Sequence, residues 1–412
     1  MIEFANGVRV LTLPDPSART ATVAVYLRVG SQHEPRALNG ISHVIEHMVF
    51  KGSRTRDARA INLDAERLGA EVDAHTDKDH TAYRLRGLPE DAPRFVQLLG
   101  DLVCAPAFPA DELQRELQVL ALEAEEVADD PMASAYQLFD RACFGLHPVA
   151  QPVIGTRPPR WRASVLHDWV RQHYTGANTV ICAAGPVDED SIARAAQATF
   201  AGMPRGAPPV IAAPAYRGDI ATRSHGGSGQ AHWVLGGALA PRGDAGEPAG
   251  QLAAAVFGEG MSSPLLTTLR EERGLVYHAT AAADLLDASG QFVVEASTAA
   301  RQLDDAVTAT VALLRAQAAD VSAADFERAR RQLAVRLHRD EERAGHRLED
   351  AALDLFALGR VRSTAERLEQ LQGVTRDQVR QVFQRLLADG LSLAATGAVG
   401  RAARSRLRAS VA

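Results

Sequence analysis

The sequence divides into two similar halves, and this internal repeat is the feature that most limits the possible folds. A stretch rich in proline, glycine and alanine from Met203 to Gly218 separates the halves. Each half opens with a β-branched, alternating segment typical of a strand, Ala21–Leu27 in the first and Ala231–Leu235 in the second. We therefore predict two homologous domains joined by a linker. The predicted bounds are residues 1–205, a linker at 206–218, and residues 219–412.

Long helices are predicted at matching places in both halves. In each half a long charged helical segment is followed by a second helical segment that ends at glycine. Helices of this length mixed with strands predict an α+β fold, in which each domain is a mostly antiparallel sheet packed with helices. The predicted helices span 111–129 and 131–145 in the first half, and 323–343 and 347–359 in the second.

A shared Val-Phe pair before a glycine aligns the two halves more closely. Phe50 and Phe257 superpose when the numbering is shifted by 207. Ala253 and Ala254 then fall where Glu46 and His47 stand in the first half. If the repeat is real, the second half has no counterpart of a site that depends on Glu46 and His47.

The pentapeptide from His43 to His47 reads H-x-x-E-H, the inverted form of a zinc-binding helix motif. Apolar neighbours such as Val44 and Met48 predict a helix with a buried side. Residues four apart share a helix face, so the two imidazoles can hold one metal ion. Glu46 lies beside them, where a carboxylate can take a proton from an attacking water.

A catalytic zinc ion needs a third protein ligand, and the predicted helix 111–129 is the best source of one. Glu116 and Glu123 are seven residues apart, or two turns, and so share a face. Spacing alone does not choose among the carboxylates of this helix. The other candidates are Glu112, Glu125 and Glu126.

Composition excludes several classes of protein. The net charge of −6 argues against nucleic acid or an anionic membrane as the main partner. No apolar run approaches the ~18 residues that a membrane-spanning helix needs. The first ten residues show no basic region followed by an apolar one, which predicts no signal peptide and a cytoplasmic location.

Several longer segments together resemble the pitrilysin/insulinase family of zinc peptidases, and within it the short, two-domain branch similar to mitochondrial processing peptidase. The resemblance extends over nearly the whole chain. The segments that carry it are Gly40–Ser53, Glu116–Glu123, Asp129–Pro131, Gly145–Pro148, Gly155-Thr156, His173-Tyr174, Ala177-Asn178, Gly258–Ser263 and Arg270–Tyr277.

The resemblance assigns roles that spacing leaves open. It implies that Glu123 is the third zinc ligand and that Glu116 helps to orient the site. It also implies that Arg270 and Tyr277 bind substrate. A tyrosine hydroxyl can donate to a developing oxyanion, and an arginine can hold peptide carbonyls.

The segment from Glu71 to Thr76 resembles the family's strand beside the zinc, which receives the substrate as an added β-strand. The resemblance extends substrate binding to all six of its residues. Asp73 and His75 depart from the family's usual asparagine and aromatic residue, and Pro264 also departs from the family pattern. His75 and His80 are interpreted as polar edge residues rather than metal ligands. The six residues are Glu71, Val72, Asp73, Ala74, His75 and Thr76.

The predicted activity is that of a zinc endopeptidase acting on short unfolded peptides, with Glu46, Arg270 and Tyr277 as its catalytic residues. Members of the resembled family enclose substrate in a clam-shell chamber of four homologous domains. Two domains per chain therefore imply a homodimer, or a heterodimer with a related chain. The alternatives are a non-catalytic scaffold or partner subunit, and a protease dedicated to maturing a leader peptide.

Overall fold

The computed structural model describes residues 1–155, 161–225, 227–400 and 402–411. Thr156, which belongs to one of the family-like segments, lies outside the described residues. The chain forms two compact units, each built from three stretches of sequence. Unit 1 comprises Met1–Ala124, Gln151–Ile211 and Glu341–Val361, and unit 2 comprises Glu125–Ala150, Ala212–Asp340 and Arg362–Ala412.

Each unit contains one sheet. The strands of unit 1 are β1 (Ile2–Glu3), β2 (Arg9–Pro14), β3 (Ala21–Leu27), β4 (Glu71–Thr76), β5 (Thr81–Gly87) and β6 (Thr179–Gly185). The strands of unit 2 are β7 (Ile220–Ser224), β8 (Gln230–Leu239), β9 (Val276–Leu285), β10 (Gly290–Ala299) and β11 (Ser392–Gly397).

The helices occur mostly in runs between groups of strands along the chain. A π-helical segment, Thr267–Glu272, follows the short helix α9. The helices are α1 (Ile41–Val49), α2 (Ala58–Arg67), α3 (Ala92–Cys104), α4 (Ala110–Asp129), α5 (Pro131–Phe144), α6 (Ala163–His173), α7 (Glu189–Phe200), α8 (Glu247–Gly258), α9 (Pro264–Leu266), α10 (Leu303–Ala319), α11 (Ala323–Glu341), α12 (Ala344–Leu358), α13 (Thr364–Gly373), α14 (Arg376–Ala388) and α15 (Ala403–Val411).

The two sheets share one topology, so the repeat seen in the sequence is present in the fold. The strand order is β1-β2-β6-β3-β5-β4 in unit 1 and β7-β11-β8-β10-β9 in unit 2. β2 pairs parallel with β6 as β7 does with β11, and the corresponding remaining pairs are antiparallel. The α+β prediction of two mostly antiparallel sheets packed with helices is confirmed.

Alternate side chains of the unit 1 sheet enter two different cores, as the pleat of a strand requires. Val23 and Val25 pack in a core with α1 and α3. Ala24 and Tyr26 point to the opposite face and pack in a second core with α12. Both faces of β3 are therefore buried.

The compact units do not coincide with the sequence halves at 1–205 and 219–412. The first half contributes α5 to the sheet of unit 2, where it packs against β11 and β8. The second half contributes α12 to the corresponding strands of unit 1, β6 and β3. Each half of the sequence therefore contributes one helix to the unit that contains most of the other half. The repeat in the sequence did not indicate this exchange.

No helix among the described residues is both long enough and apolar enough to cross a membrane.

The packing of α12 on unit 1 predicts that its apolar face contributes to the stability of that unit. Leu348 is completely buried against the sheet, so Leu348→Ala should lower the free energy of unfolding by about 2–5 kcal/mol. The control Leu63→Ala removes a side chain that is 39% exposed and should change it by about 0.5 kcal/mol or less. Urea unfolding followed by circular dichroism measures both, and equal effects would contradict the assignment of α12 to a core.

Candidate metal centre

Helix α1, which carries the H-x-x-E-H motif, is fixed at its first turn by a buried carboxylate. Glu34 accepts hydrogen bonds from the backbone N–H groups of Gly40 (2.6 Å) and Ser42 (2.9 Å). Burial raises the pKa of Glu34, while these hydrogen bonds oppose the rise. Gly40 itself has φ 96°, and a Cβ there would lie 2.7 Å from the carbonyl oxygen of Ile154. The entry into α1 therefore requires glycine.

The structure brings three metal-binding side chains together: His43 and His47 of α1, and Glu123 of α4. Their donor atoms all lie within 4.8 Å of one another. His43 Nε2 is 3.7 Å from Glu123 Oε1, and His47 Nε2 is 3.9 Å from Glu123 Oε2. Two imidazole nitrogens and one carboxylate form a donor set that suits zinc. Among the acidic candidates on α4, the geometry selects Glu123 for this position.

A second carboxylate of α4 orients His47. His47 Nδ1 lies 2.8 Å from Glu116 Oε1, and Lys51 Nζ lies 2.7 Å from Glu116 Oε2. Burial favours protonation of Glu116, but hydrogen bonds with Lys51 and His47 outweigh it, and the pKa of Glu116 is lowered. A carboxylate kept ionised accepts the Nδ1 proton and leaves Nε2 free to bind a metal. Lys51 was not among the residues expected at the site.

His43 is held in its neutral form. Burial, followed by the nearby His47, lowers the pKa of His43 to about 4. A neutral imidazole is the form that binds a metal. Its Nδ1 atom is buried and has no hydrogen-bond partner among the described residues, in contrast to the paired Nδ1 of His47.

Glu46 lies on the same helix and makes a hydrogen bond to the edge of the sheet. Thr76 Oγ1 donates to Glu46 Oε2 at 2.7 Å. Burial raises the pKa of Glu46, and the bond from Thr76 and the charge of His47 limit the rise. A buried carboxylate with a raised pKa is a stronger base than an exposed one, which suits a group that accepts a proton.

The segment from Glu71 to Thr76 is the edge strand β4. It pairs with β5, and no strand pairs with its other side among the described residues. Val72 is 46% exposed. Asp73 pairs with Arg84 of β5 across the strands. β4 therefore presents one row of backbone N–H and C=O groups that is not used within the sheet.

Arg270 and Tyr277 contact each other in unit 2. The guanidinium carbon of Arg270 lies 5.2 Å from the centre of the Tyr277 ring, within cation–π distance. Tyr277 is 85% exposed. Arg270 belongs to the π-helical segment, a rare conformation that is frequent at functional sites. Ala253 and Ala254, which replace Glu46 and His47 in the repeat, are buried in α8.

A second group of possible ligands lies on the other face of β4. His75, His80 and Glu349 place their donor atoms within 4.8 Å of one another. His80 is only 1% exposed, so the interpretation of His80 as a polar edge residue was wrong. Burial opposes its charged form, but hydrogen bonding to Asp79 and the nearby Glu349 raise the pKa of His80 to about 10.

The hydrogen bond between His47 and Glu116 predicts that Glu116 strengthens metal binding by orienting His47. Glu116→Gln should weaken zinc binding about 10–100-fold, because an amide is a poorer acceptor for the Nδ1 proton. Competition against a chromogenic chelator measures the dissociation constant. The control Glu126→Gln alters an exposed carboxylate of the same helix and should leave affinity unchanged. Equal affinity of the two variants would remove Glu116 from the site.

Two family profiles match most of the chain. Residues 9–157 match the family described as Insulinase (Peptidase family M16), and residues 160–333 match the one described as Peptidase M16 inactive domain. The first match contains the whole His43, His47 and Glu123 cluster. The second contains the π-helical segment and the Arg270/Tyr277 pair.

Relatives along the full length are described as zinc proteases. An uncharacterized zinc protease of Mycobacterium bovis is 31% identical, covering 98% of this chain and 95% of its own. One from Bacillus subtilis is 28% identical, covering 94% and 96%. These names support a peptidase-family function and zinc as the metal.

Solved structures show the same fold. A peptidase M16 inactive domain from Pseudomonas fluorescens superposes with a TM-score of 0.87 at 23% identity, covering 96% of this chain and 97% of that one. A protease from Helicobacter pylori gives a TM-score of 0.87 at 19% identity, covering 96% and 98%. The family profiles and the full-length relatives show that this chain belongs to the M16 (insulinase) family of peptidases.

Proposed function

We propose that this chain is a zinc-dependent endopeptidase that cleaves short unfolded peptides. The observation that carries the proposal is the cluster of His43, His47 and Glu123 with the buried Glu46 carboxylate on the same helix. His43, His47 and Glu123 hold the zinc ion in this account. Zinc polarises a peptide carbonyl and makes an attacking water more acidic.

Glu46 is the proton carrier of the proposed reaction. Its carboxylate takes a proton from the water that attacks the scissile carbonyl, then delivers that proton to the leaving amine nitrogen. The hydrogen bond from Thr76 to one carboxylate oxygen fixes the orientation of Glu46. Burial supports this role, since it favours protonation of the carboxylate during the reaction.

The exposed edge of β4 suits an extended peptide as substrate. A peptide that pairs with this edge is bound through its backbone, so many sequences are accepted. The end of β4 lies at the metal centre, because Thr76 is the residue that contacts Glu46. Glu71, Val72, Asp73, Ala74, His75 and Thr76 therefore form the proposed substrate strand.

Arg270 and Tyr277 are proposed to act on the same peptide. The Tyr277 hydroxyl donates to the carbonyl oxygen as negative charge develops on it, and Arg270 holds neighbouring peptide carbonyls. The exposure of Tyr277 supports this role, since its side chain is free to meet a ligand. We propose a homodimer that encloses a peptide chamber, in which each chain supplies this pair to the other chain's zinc site.

The competing function is that of a non-catalytic subunit with the same fold. Such a subunit has no need for a complete metal-ligand set, an ionised carboxylate behind His47 or a buried carboxylate beside the ligands. This chain has all three. The catalytic proposal is therefore the better supported one.

The proposed proton transfer predicts different outcomes for two variants of α1. Glu46→Gln should keep its zinc and lower the rate constant for peptide hydrolysis about 10²–10⁴-fold, since only the proton acceptor is lost. His47→Ala should lose both zinc and activity. Metal analysis beside a fluorogenic peptide assay measures the two properties.

Glu66→Gln is the matched control for Glu46→Gln, because Glu66 is an exposed carboxylate on the neighbouring helix α2. It should leave hydrolysis unchanged. Normal turnover by the zinc-loaded Glu46→Gln protein would contradict the mechanism. Full activity of the Glu66→Gln protein, together with the loss of activity in the zinc-loaded Glu46→Gln protein, would support it.

The proposed dimer predicts complementation in trans. Glu46→Gln and Tyr277→Phe proteins should each be nearly inactive alone. After subunit exchange, an equal mixture should recover about a quarter of wild-type activity, since about half of the dimers are mixed and each mixed dimer has one complete site. Native mass spectrometry verifies the exchange. Absence of recovery despite exchange would mean that Tyr277 does not serve the partner's site.

A further inference from the structure

The cluster of His75, His80 and Glu349 is separate from the metal centre described above. His75 lies next to Thr76 on β4, and adjacent residues of a strand point to opposite faces of the sheet. Thr76 points toward Glu46 on α1, whereas His75 points toward Glu349 on α12. The sheet itself therefore separates the two groups of potential ligands.

We propose that His75, His80 and Glu349 form a second divalent-metal site in unit 1, of the kind that binds zinc. The metal-binding claim is independent of the proposed peptidase function, because the two sites share no ligand.

The distances within the cluster match those between ligands of one metal ion. His75 Nε2 and His80 Nε2 are 3.2 Å apart, and they lie 3.7 Å and 3.6 Å from the same oxygen, Glu349 Oε1. The point equidistant from three atoms at these separations lies about 2.0 Å from each, which is the bond length of zinc to imidazole nitrogen or carboxylate oxygen. The cluster is thus already as compact as a zinc site requires.

One hydrogen bond, between His75 Nε2 and His80 Nε2, already links the two imidazoles. The two contacts to Glu349 Oε1, at 3.7 Å and 3.6 Å, exceed the length of a hydrogen bond. Yet both imidazoles have an Nε2 atom close to the same oxygen. A cation shared by the three atoms accounts for the convergence on Glu349 Oε1, and it would replace the hydrogen bond between the two imidazoles.

His80 is prepared as a metal ligand by a carboxylate of its own. His80 Nδ1 lies 2.7 Å from Asp79 Oδ1, and both side chains are buried. A carboxylate at Nδ1 fixes the ring and leaves Nε2 for the metal, the same arrangement that Glu116 gives to His47. The carboxylates of Asp79 and Glu349, which raise the pKa of His80, favour positive charge at this position, and a bound divalent cation would take the place of the proton on His80 Nε2.

The proposed site joins parts of the chain that are far apart in sequence. His75 and His80 flank the turn between β4 and β5, and Glu349 belongs to α12 from the second half of the sequence. A metal ion held by all three would tie the edge strand to α12, closing a long loop. If β4 receives the peptide as proposed above, this tie also steadies the strand that aligns the substrate.

Metal content in a protein that lacks the first site gives a direct test. His43→Ala/His47→Ala protein, saturated with zinc and freed of excess, should retain about one zinc ion per chain where the wild type retains about two. Adding Glu349→Gln or His75→Phe to that protein should remove the remaining ion. Mass spectrometry of the metals measures the content without reference to activity.

His346→Gln is the matched control, because His346 is an exposed histidine on the same helix as Glu349; added to the double variant, it should leave the remaining ion in place. Zinc should also raise the melting temperature of the double variant, and this shift should vanish with Glu349→Gln. Circular dichroism verifies folding. The proposal would be overturned if the folded double variant held no zinc. It would also be overturned if the double variant kept the same zinc content after Glu349→Gln or His75→Phe was added.

Discussion

The hydrogen bond from Thr76 to Glu46 joins the two elements on which the proposed function depends. Glu46 belongs to the helix that carries both metal-binding histidines, and Thr76 ends the edge strand β4. The bond orients one carboxylate oxygen of Glu46. In the proposed reaction, a peptide that pairs with β4 would thereby lie close to the carboxylate that carries the proton.

The surrounding charges prepare the metal ligands before any ion binds. Burial keeps His43 neutral, and Glu116, held ionised by Lys51, orients His47. The cost of burying His47 and Glu116 is offset by hydrogen bonds to charged partners, which are stronger than those between neutral groups. The Glu34 carboxylate does the same for the first turn of α1.

Local patterns in the sequence were sufficient to bring the two histidines of the site together, and to place two carboxylates of α4 on one face. Residues four apart on one helix placed His43 and His47 side by side, and two turns of α4 placed Glu116 and Glu123 on one face. Spacing alone did not separate Glu123 from its neighbours; the three-dimensional contacts do so. The strand predicted at Ala21–Leu27 has the same bounds in the structure.

Long-range packing was not accessible from these patterns. The exchange of α5 and α12 between the units depends on which apolar face meets which sheet, and both helices have similar amphipathic sequences. His80 was misjudged for the same reason. Its buried surroundings include Glu349 of α12, which lies more than two hundred residues later in the chain. The hydrophobic pattern of a short stretch of sequence carries no information about which distant helix packs against it.

The account is tested most directly by mapping the bonds that the protein cuts in a library of unfolded peptides. Mass spectrometry would compare zinc-loaded protein, chelator-treated protein and chelator-treated protein to which zinc is returned. We expect internal cleavage that disappears with the chelator and returns with zinc, and a depletion of proline at positions that must donate an N–H to β4. Cleavage that persists without metal, or no cleavage by zinc-loaded protein, would contradict the account.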